Sequence, residues 1–157
     1  MAIFLTDRGS TVTAIVDYLK AMVPDFALVK PYEGELDRFS KKSQIQDDMF
    51  PAQVSLQTPF ALVISKDRER TDKSQNNSLK FQHNISIYVG VASSFDFAST
   101  STPDVFTLLT KSAQVLHGHQ AIANAGTLTL VNDGEYLVRT DLFTVYDQKF
   151  FQLEIGF

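Results

Sequence analysis

From Leu79 to Ala92 the chain alternates between two kinds of residue, with Leu79, Phe81, Ile85, Ile87, Val89 and Val91 on one parity and Lys80, Gln82, Asn84 and Ser86 on the other. Side chains of a strand point to opposite faces with period two, so this run predicts a strand with one buried and one solvated face, the habit of an antiparallel sheet. A different spacing precedes it. Val12, Ile15, Val16, Leu19 and Val23 recur at helical intervals, with Ser10 or Thr11 as the N-cap and Pro24 as a stop. Phe26 to Tyr32 reads as a short extended segment closed by Pro31 and Gly34, and Glu35 to Asp48 is open between helix and loop.

Phe60 to Lys66 predicts a second strand, rich in strand-forming residues after Pro59. The charged and amide-rich stretch Asp67 to Ser78 then reads as the polar tip of a long hairpin. Past a Ser/Thr-rich connector at Ser93 to Thr102, the run Thr102, Pro103, Asp104 supplies an N-cap, a first-turn proline and a carboxylate for a second helix. Its apolar face is Val105, Leu108, Leu109, Val115 and Leu116, with Ser112 as a small contact and Gly118 as its stop. Strands return with Leu128 and Leu130, a turn at Asn132, Asp133 and Gly134, then Tyr136 and Val138, then Leu142 to Tyr146. The last alternating run, Phe151, Leu153, Ile155 and Phe157, ends the sequence. The order predicts an α+β fold: a mostly antiparallel β-sheet with two main α-helices packed on one face and a long polar β-hairpin tip.

Composition narrows the possibilities. The 157 residues, 44% hydrophobic and 20% charged, suffice for a single domain over 1–157 with its own core. A net charge of −4 argues against a general phosphate-backbone binder, though a local basic patch stays open. With no Cys there are no disulfides, thiolate metal sites or Cys nucleophiles, which fits a reducing compartment. Met1 to Leu5 lacks the basic flank and apolar core of a secretion signal, and no stretch approaches the roughly 20 apolar residues of a spanning helix. The expectation is a soluble protein made in the cytoplasm.

Candidate chemistry is sparse. His117 and His119 form an HxH pair without a third ligand tied to it, and a histidine at a helix end also suits the dipole. His83 falls on the apolar parity of its strand and reads as a satisfied, partly buried residue. Glu33 with Glu35, and Asp47 with Asp48, read as solvated carboxylates. Nucleophile elbow, phosphate loop, HExxH and GxGxxG patterns are missing, so no enzyme activity, metal or cofactor is expected. Thirteen Phe and five Tyr supply much apolar surface, concentrated at Phe143, Tyr146, Phe150, Phe151 and Phe157. Phe151 and Phe157 share a parity and are expected in the core, whereas Phe150, beside Gln152 and Glu154, is expected to face a partner.

The succession of elements carries a resemblance: helix Val12 to Val23, extended Lys30-Pro31-Tyr32, strand Ala61 to Ile64, a polar hairpin tip, strand Phe81 to Val91, the helix Val105-x-x-Leu108-Leu109 to Leu116-x-Gly118, and a closing strand Phe151 to Ile155. In order and spacing over most of its length, the chain resembles the small tail terminator, or tail-completion, proteins of Mu-like and other long-tailed phages. The resemblance implies a non-enzymatic assembly protein of the virion tail neck, made in the host bacterial cytoplasm. Such a protein forms a ring, commonly of six subunits, that caps the head-proximal end of the tail tube, stops tube and sheath growth and prepares joining to the capsid connector. DNA would pass through without sequence-specific binding, and no membrane is involved. Lys66, Asp67, Arg68, Glu69, Arg70, Asp72 and Lys73 of the hairpin, with Phe150, would then be the contacts to a neighbouring subunit, tube or sheath. Two alternatives stand beside this: another neck or baseplate-proximal component of a tail or contractile injection system, and a small ligand-binding or enzymatic domain using His83, Tyr88 and His117.

Overall fold

A computed structural model describes residues 7–36, 56–71, 79–92, 105–122, 126–140 and 143–156. The first helix, α1 (Arg8–Met22), begins a turn earlier than the apolar spacing suggests. Its cap is Asp7, whose carboxylate accepts from the Ser10 backbone N–H at 3.0 Å and from the Ser10 hydroxyl at 3.1 Å. A carboxylate both satisfies an orphan donor and meets the positive end of the helix dipole, which is why it wins over Ser10 and Thr11. The strands β1 (Leu28–Pro31), β2 (Phe60–Arg70) and β3 (Leu79–Ala92) follow. Then come α2 (Val105–Leu116), β4 (Thr129–Arg139) and β5 (Phe143–Gly156). Gly118 ends the second helical segment in the left-handed region at φ 84°, and its N–H donates to Leu128 O at 2.7 Å. The cap expected at Thr102 to Asp104 lies outside the described residues, as do the connector Ser93 to Thr102 and most of Glu35 to Asp48.

The sheet order is β1-β2-β3-β5-β4, antiparallel throughout except for the β1–β2 pair. This is the expected α+β fold. Both helices pack on one face, over a core in which Val12, Ile15 and Leu19 of α1 and Leu108 and Leu116 of α2 meet Ala61, Val63, Ile85, Ile87, Val89 and Phe150.

Three expectations need correction. The face of β3 predicted to be wet is buried at Ser86, Tyr88 and Gly90. A second core covers it, made of Leu36, Phe60, Leu62, Tyr88, Phe143 and Val145, with the Phe60 and Phe143 rings edge to face at 5.4 Å. Gly90 makes this possible, since a Cβ there would sit 2.2 Å from the Phe60 ring. Second, Asn132-Asp133-Gly134 does not reverse the chain. It forms part of one continuous β4, whose pairing with β5 shifts register between Leu130 and Asn132, between Asn132 and Glu135, and between Tyr136 and Val138. The Asn132 side chain accepts from Gly134 N–H, and Gln148 of β5 donates to Asp133 O, so side chains take up the backbone groups of the irregular stretch.

Third, the closing strand is turned over. β5 runs unbroken from Phe143, and its register sets Phe150, Gln152 and Glu154 opposite Ile85, His83 and Phe81, under the helix-bearing face. Phe150 is 1% exposed and belongs to the core, not to a partner surface, whereas Leu153 is 52% exposed and Phe151 is half-buried. Phe157 lies outside the described residues. We expect Phe150→Ala to cost about 3 to 5 kcal/mol in urea denaturation, the range for emptying a core aromatic site. Leu153→Ala should stay within about 0.5 kcal/mol of the parent; the reverse order would restore the exposed reading of Phe150.

Candidate functional site

The residues Lys66 to Arg70 alternate strictly in charge, and the structure makes them a strand rather than a loop: they are the last five residues of β2. Asp72 and Lys73 lie outside the described residues. Between Ser65 and Asp67 the pairing with β3 slips by one residue, so Ser65 opposes Ile85 while Asp67 opposes Asn84 and Arg68 opposes His83. Lys66 is the extra residue. In an unbroken register Asp67 would sit opposite His83, facing the buried Glu154 with a like charge. The bulge substitutes Arg68.

What Arg68 meets is a chain of buried polar groups at the end of the apolar core. Its Nη2 lies 3.1 Å from Glu154 Oε1. Glu154, 2% exposed, also accepts from Gln152 Nε2 at 2.8 Å and has His83 Nδ1 at 2.8 Å from its other oxygen. His83 is fully buried, and its Nε2 lies 2.7 Å from Ser65 Oγ. Arg8, from the first turn of α1, donates through Nε to the same Ser65 oxygen at 2.7 Å and through Nη2 to Ser65 O. Carboxylates only accept, so the imidazole proton sits on Nδ1 and Nε2 accepts the Ser65 hydroxyl proton. Burial pushes the Glu154 carboxyl up, but the hydrogen bonds from His83 and Gln152 and the Arg68 charge outweigh it and hold the group below the usual range.

Serine, histidine and carboxylate stand here in the order of a hydrolase triad. Two features oppose that use. The Ser65 oxygen already accepts from a guanidinium, which withdraws the electron density a nucleophile must offer, and the imidazole is sealed from solvent. The arrangement serves as a clasp joining α1, β2, β3 and β5. A fluorophosphonate probe should leave Ser65 unmodified by mass spectrometry; stoichiometric labelling lost in Ser65→Ala would make it a nucleophile instead.

On the opposite face Asp67 accepts from Asn84 Nδ2 at 2.6 Å, and Gln82 donates to Asn84 Oδ1. Glu69 and Arg70 are exposed, and among the described residues neither makes an ion pair. Lys66 is exposed with its ammonium 5.4 Å from the centre of the Tyr88 ring. Next to it lies Asp147, 5% exposed. Its burial raises the carboxyl pKa, and neither the Ser86 hydrogen bond nor the charges of Lys66 and Lys149 offset this.

The other candidates are dispersed. His117 Nδ1 accepts from Leu130 N–H, and the His119 ring stacks on Tyr18 at 3.5 Å, so the HxH imidazoles are engaged separately. No group of three potential metal-ligating side chains occurs among the described residues. His83 and Tyr88 project from opposite faces of β3, so these two do not converge on one pocket. Glu33 and Glu35 both pair with Lys30, and Asp47 and Asp48 lie outside the described residues. Among the described residues no helix is long and apolar enough to cross a membrane. Compared with known proteins, the chain matches no family model and no curated protein.

From its parity, sequence reasoning put His83 on the right face and with partners, though as partly buried where it is fully buried. It missed Ser65, Arg8, Gln152 and Glu154, although the polar residues at 152 and 154 share parity with Phe150, a signal that the face is shared rather than wet. The two buried acids should titrate in opposite senses. In carboxyl-carbon NMR, Asp147 should titrate above the ordinary Asp range and Glu154 below the ordinary Glu value of about 4.3. Glu154, with its depressed folded value, supplies stability above its unfolded pKa that is lost as pH falls through the folded one. For Asp147 the sign reverses: its raised value is a penalty at neutral pH, relieved as pH falls through it. Glu154→Gln should remove the first dependence and cost about 3 kcal/mol by leaving Arg68 without its buried partner.

Proposed function

We propose that this chain is a non-enzymatic assembly protein that forms a ring at the head-proximal end of a phage tail tube. There it stops tube and sheath growth and offers the surface for head joining. The observation that carries the reading is the charged end of β2, a strand segment with one arginine clasped to the body and two exposed residues of opposite sign beside it. Support also comes from the order of elements, helix, strands, helix, strands, with both helices on one face of the sheet, which is the order the resemblance rests on. A net charge of −4 suits a passage through which DNA must slide without being held, since phosphate contacts come from basic groups.

One consequence of the geometry modifies how contacts should be removed. Arg68 is half-buried against Glu154, so it belongs to the fold as well as to any contact, and replacing it tests stability first. Glu69 and Arg70 are the residues whose loss reports on assembly alone. The direct test is light scattering on a sizing column with negative-stain imaging, for the protein alone and with tubes built from its own tail-tube protein. A closed ring with a central hole, free in solution or seated on tube ends, is the expected result. A monomer that ignores tube ends would overturn the reading.

A further inference from the structure

The five-residue run Lys66-Asp67-Arg68-Glu69-Arg70 alternates in sign at the period of a strand, and a strand sends alternate side chains to opposite faces. Charge is therefore sorted by face. The bulge at Lys66 fixes which sign goes where: Arg68 and Arg70 oppose His83 and Phe81 on the helix-bearing side, and Asp67 and Glu69 oppose Asn84 and Gln82 on the other. Each face also has an apolar companion in the same cross-strand row. Arg70 lies in register with the half-buried Phe81. Glu69 pairs with Gln82, which pairs with Leu153, half exposed on that side.

We infer that these two patches are the two halves of one contact between copies of this chain, the Arg70–Phe81 face of one copy meeting the Glu69–Leu153 face of the next. This rests on the ring reading and supplies its residues. The occupant is a second copy because the complement each patch calls for, an opposite charge beside an apolar side chain, is carried by the same chain on its reverse side. Two different patches meeting make a heterologous contact, which repeats head to tail and closes into a ring when the rotation allows. Isolated exposed ion pairs hold little, so the charges set register and approach while the apolar companions supply the buried area. The contact should weaken as salt rises.

The test is a charge swap, read by light scattering on the full chain. Glu69→Arg puts a cation at the contact position of both faces and Arg70→Glu an anion at both, so each alone should lose self-association by about tenfold or more. An equimolar mixture should reassemble, since each face again finds its opposite on the other variant. The double variant Glu69→Arg with Arg70→Glu should assemble alone. Circular dichroism and urea midpoints matching the parent establish that the fold is intact, as expected for two exposed residues. Single variants that keep the parent's mass overturn the inference while leaving a ring standing. Loss of assembly that neither mixture nor double variant restores also overturns it. Rescue in particles that are not rings upholds the contact and overturns the ring reading, and a parent chain that associates neither alone nor on tube ends overturns both.

Discussion

Glu154 is a carboxylate taken almost entirely out of water at the point where the apolar core runs out. An isolated ion in that position would cost several kcal/mol, so its neighbours must be arranged for it. His83, Gln152 and Arg68 surround it, His83 in turn needs an acceptor's partner in Ser65, and Ser65 draws Arg8 from the start of α1. Four separate elements are fixed by one charge. The slip of register at Lys66 belongs to the same requirement, because only a shifted strand brings a cation instead of Asp67 to that side. A local irregularity in β2 is thus the solution to an electrostatic demand made by β5.

The remainder of the molecule is a sheet buried on both sides for part of its length. Beneath the helices the core is mostly aliphatic, with Phe26 and Phe150 as its aromatic members, while the other side is closed by a smaller aromatic cluster around Phe60, Tyr88 and Phe143. That second cluster ends near Ser86 and Asp147, and from there the open face turns polar. Among the described residues, Leu153 and Phe151 are the apolar neighbours of the charged end on its outer face. The polar clasp on the inner side ties that end to the body.

Element type was legible wherever one face alone is buried. The apolar spacings of α1 and α2 and the helix-facing parity of β3 gave the two helices, the central strand and the fold class. Parity failed where the two faces are not simply wet and dry. Tyr88 and Gly90 are covered by residues far along the chain, and no local pattern announces Leu36 or Phe143 as their lid. Phe150 was misread because Gln152 and Glu154 beside it look like solvated residues, and only the pairing of β5 with β3 shows that they satisfy one another. Turn chemistry misled in a similar way at Asn132 to Gly134, where residues that often reverse a chain are held in a bulge by Gln148. Of the candidate site, the charged residues themselves could be named from sequence. Their sorting onto two faces could not, since it requires that the segment be a strand and that the register slip occur before it.

The irregular pairing along β4 bears on what kinds of assembly this molecule permits. β4 is an outer strand and carries exposed Val131, Tyr136 and Leu137, the composition of a strand that would recruit another by backbone pairing. Its three interruptions of register twist that border out of the flat ladder an incoming strand would need. Growth by indefinite sheet extension, the route to fibrils, is thereby discouraged at an apolar edge. A border of that kind favours contacts through side chains over backbone pairing along β4.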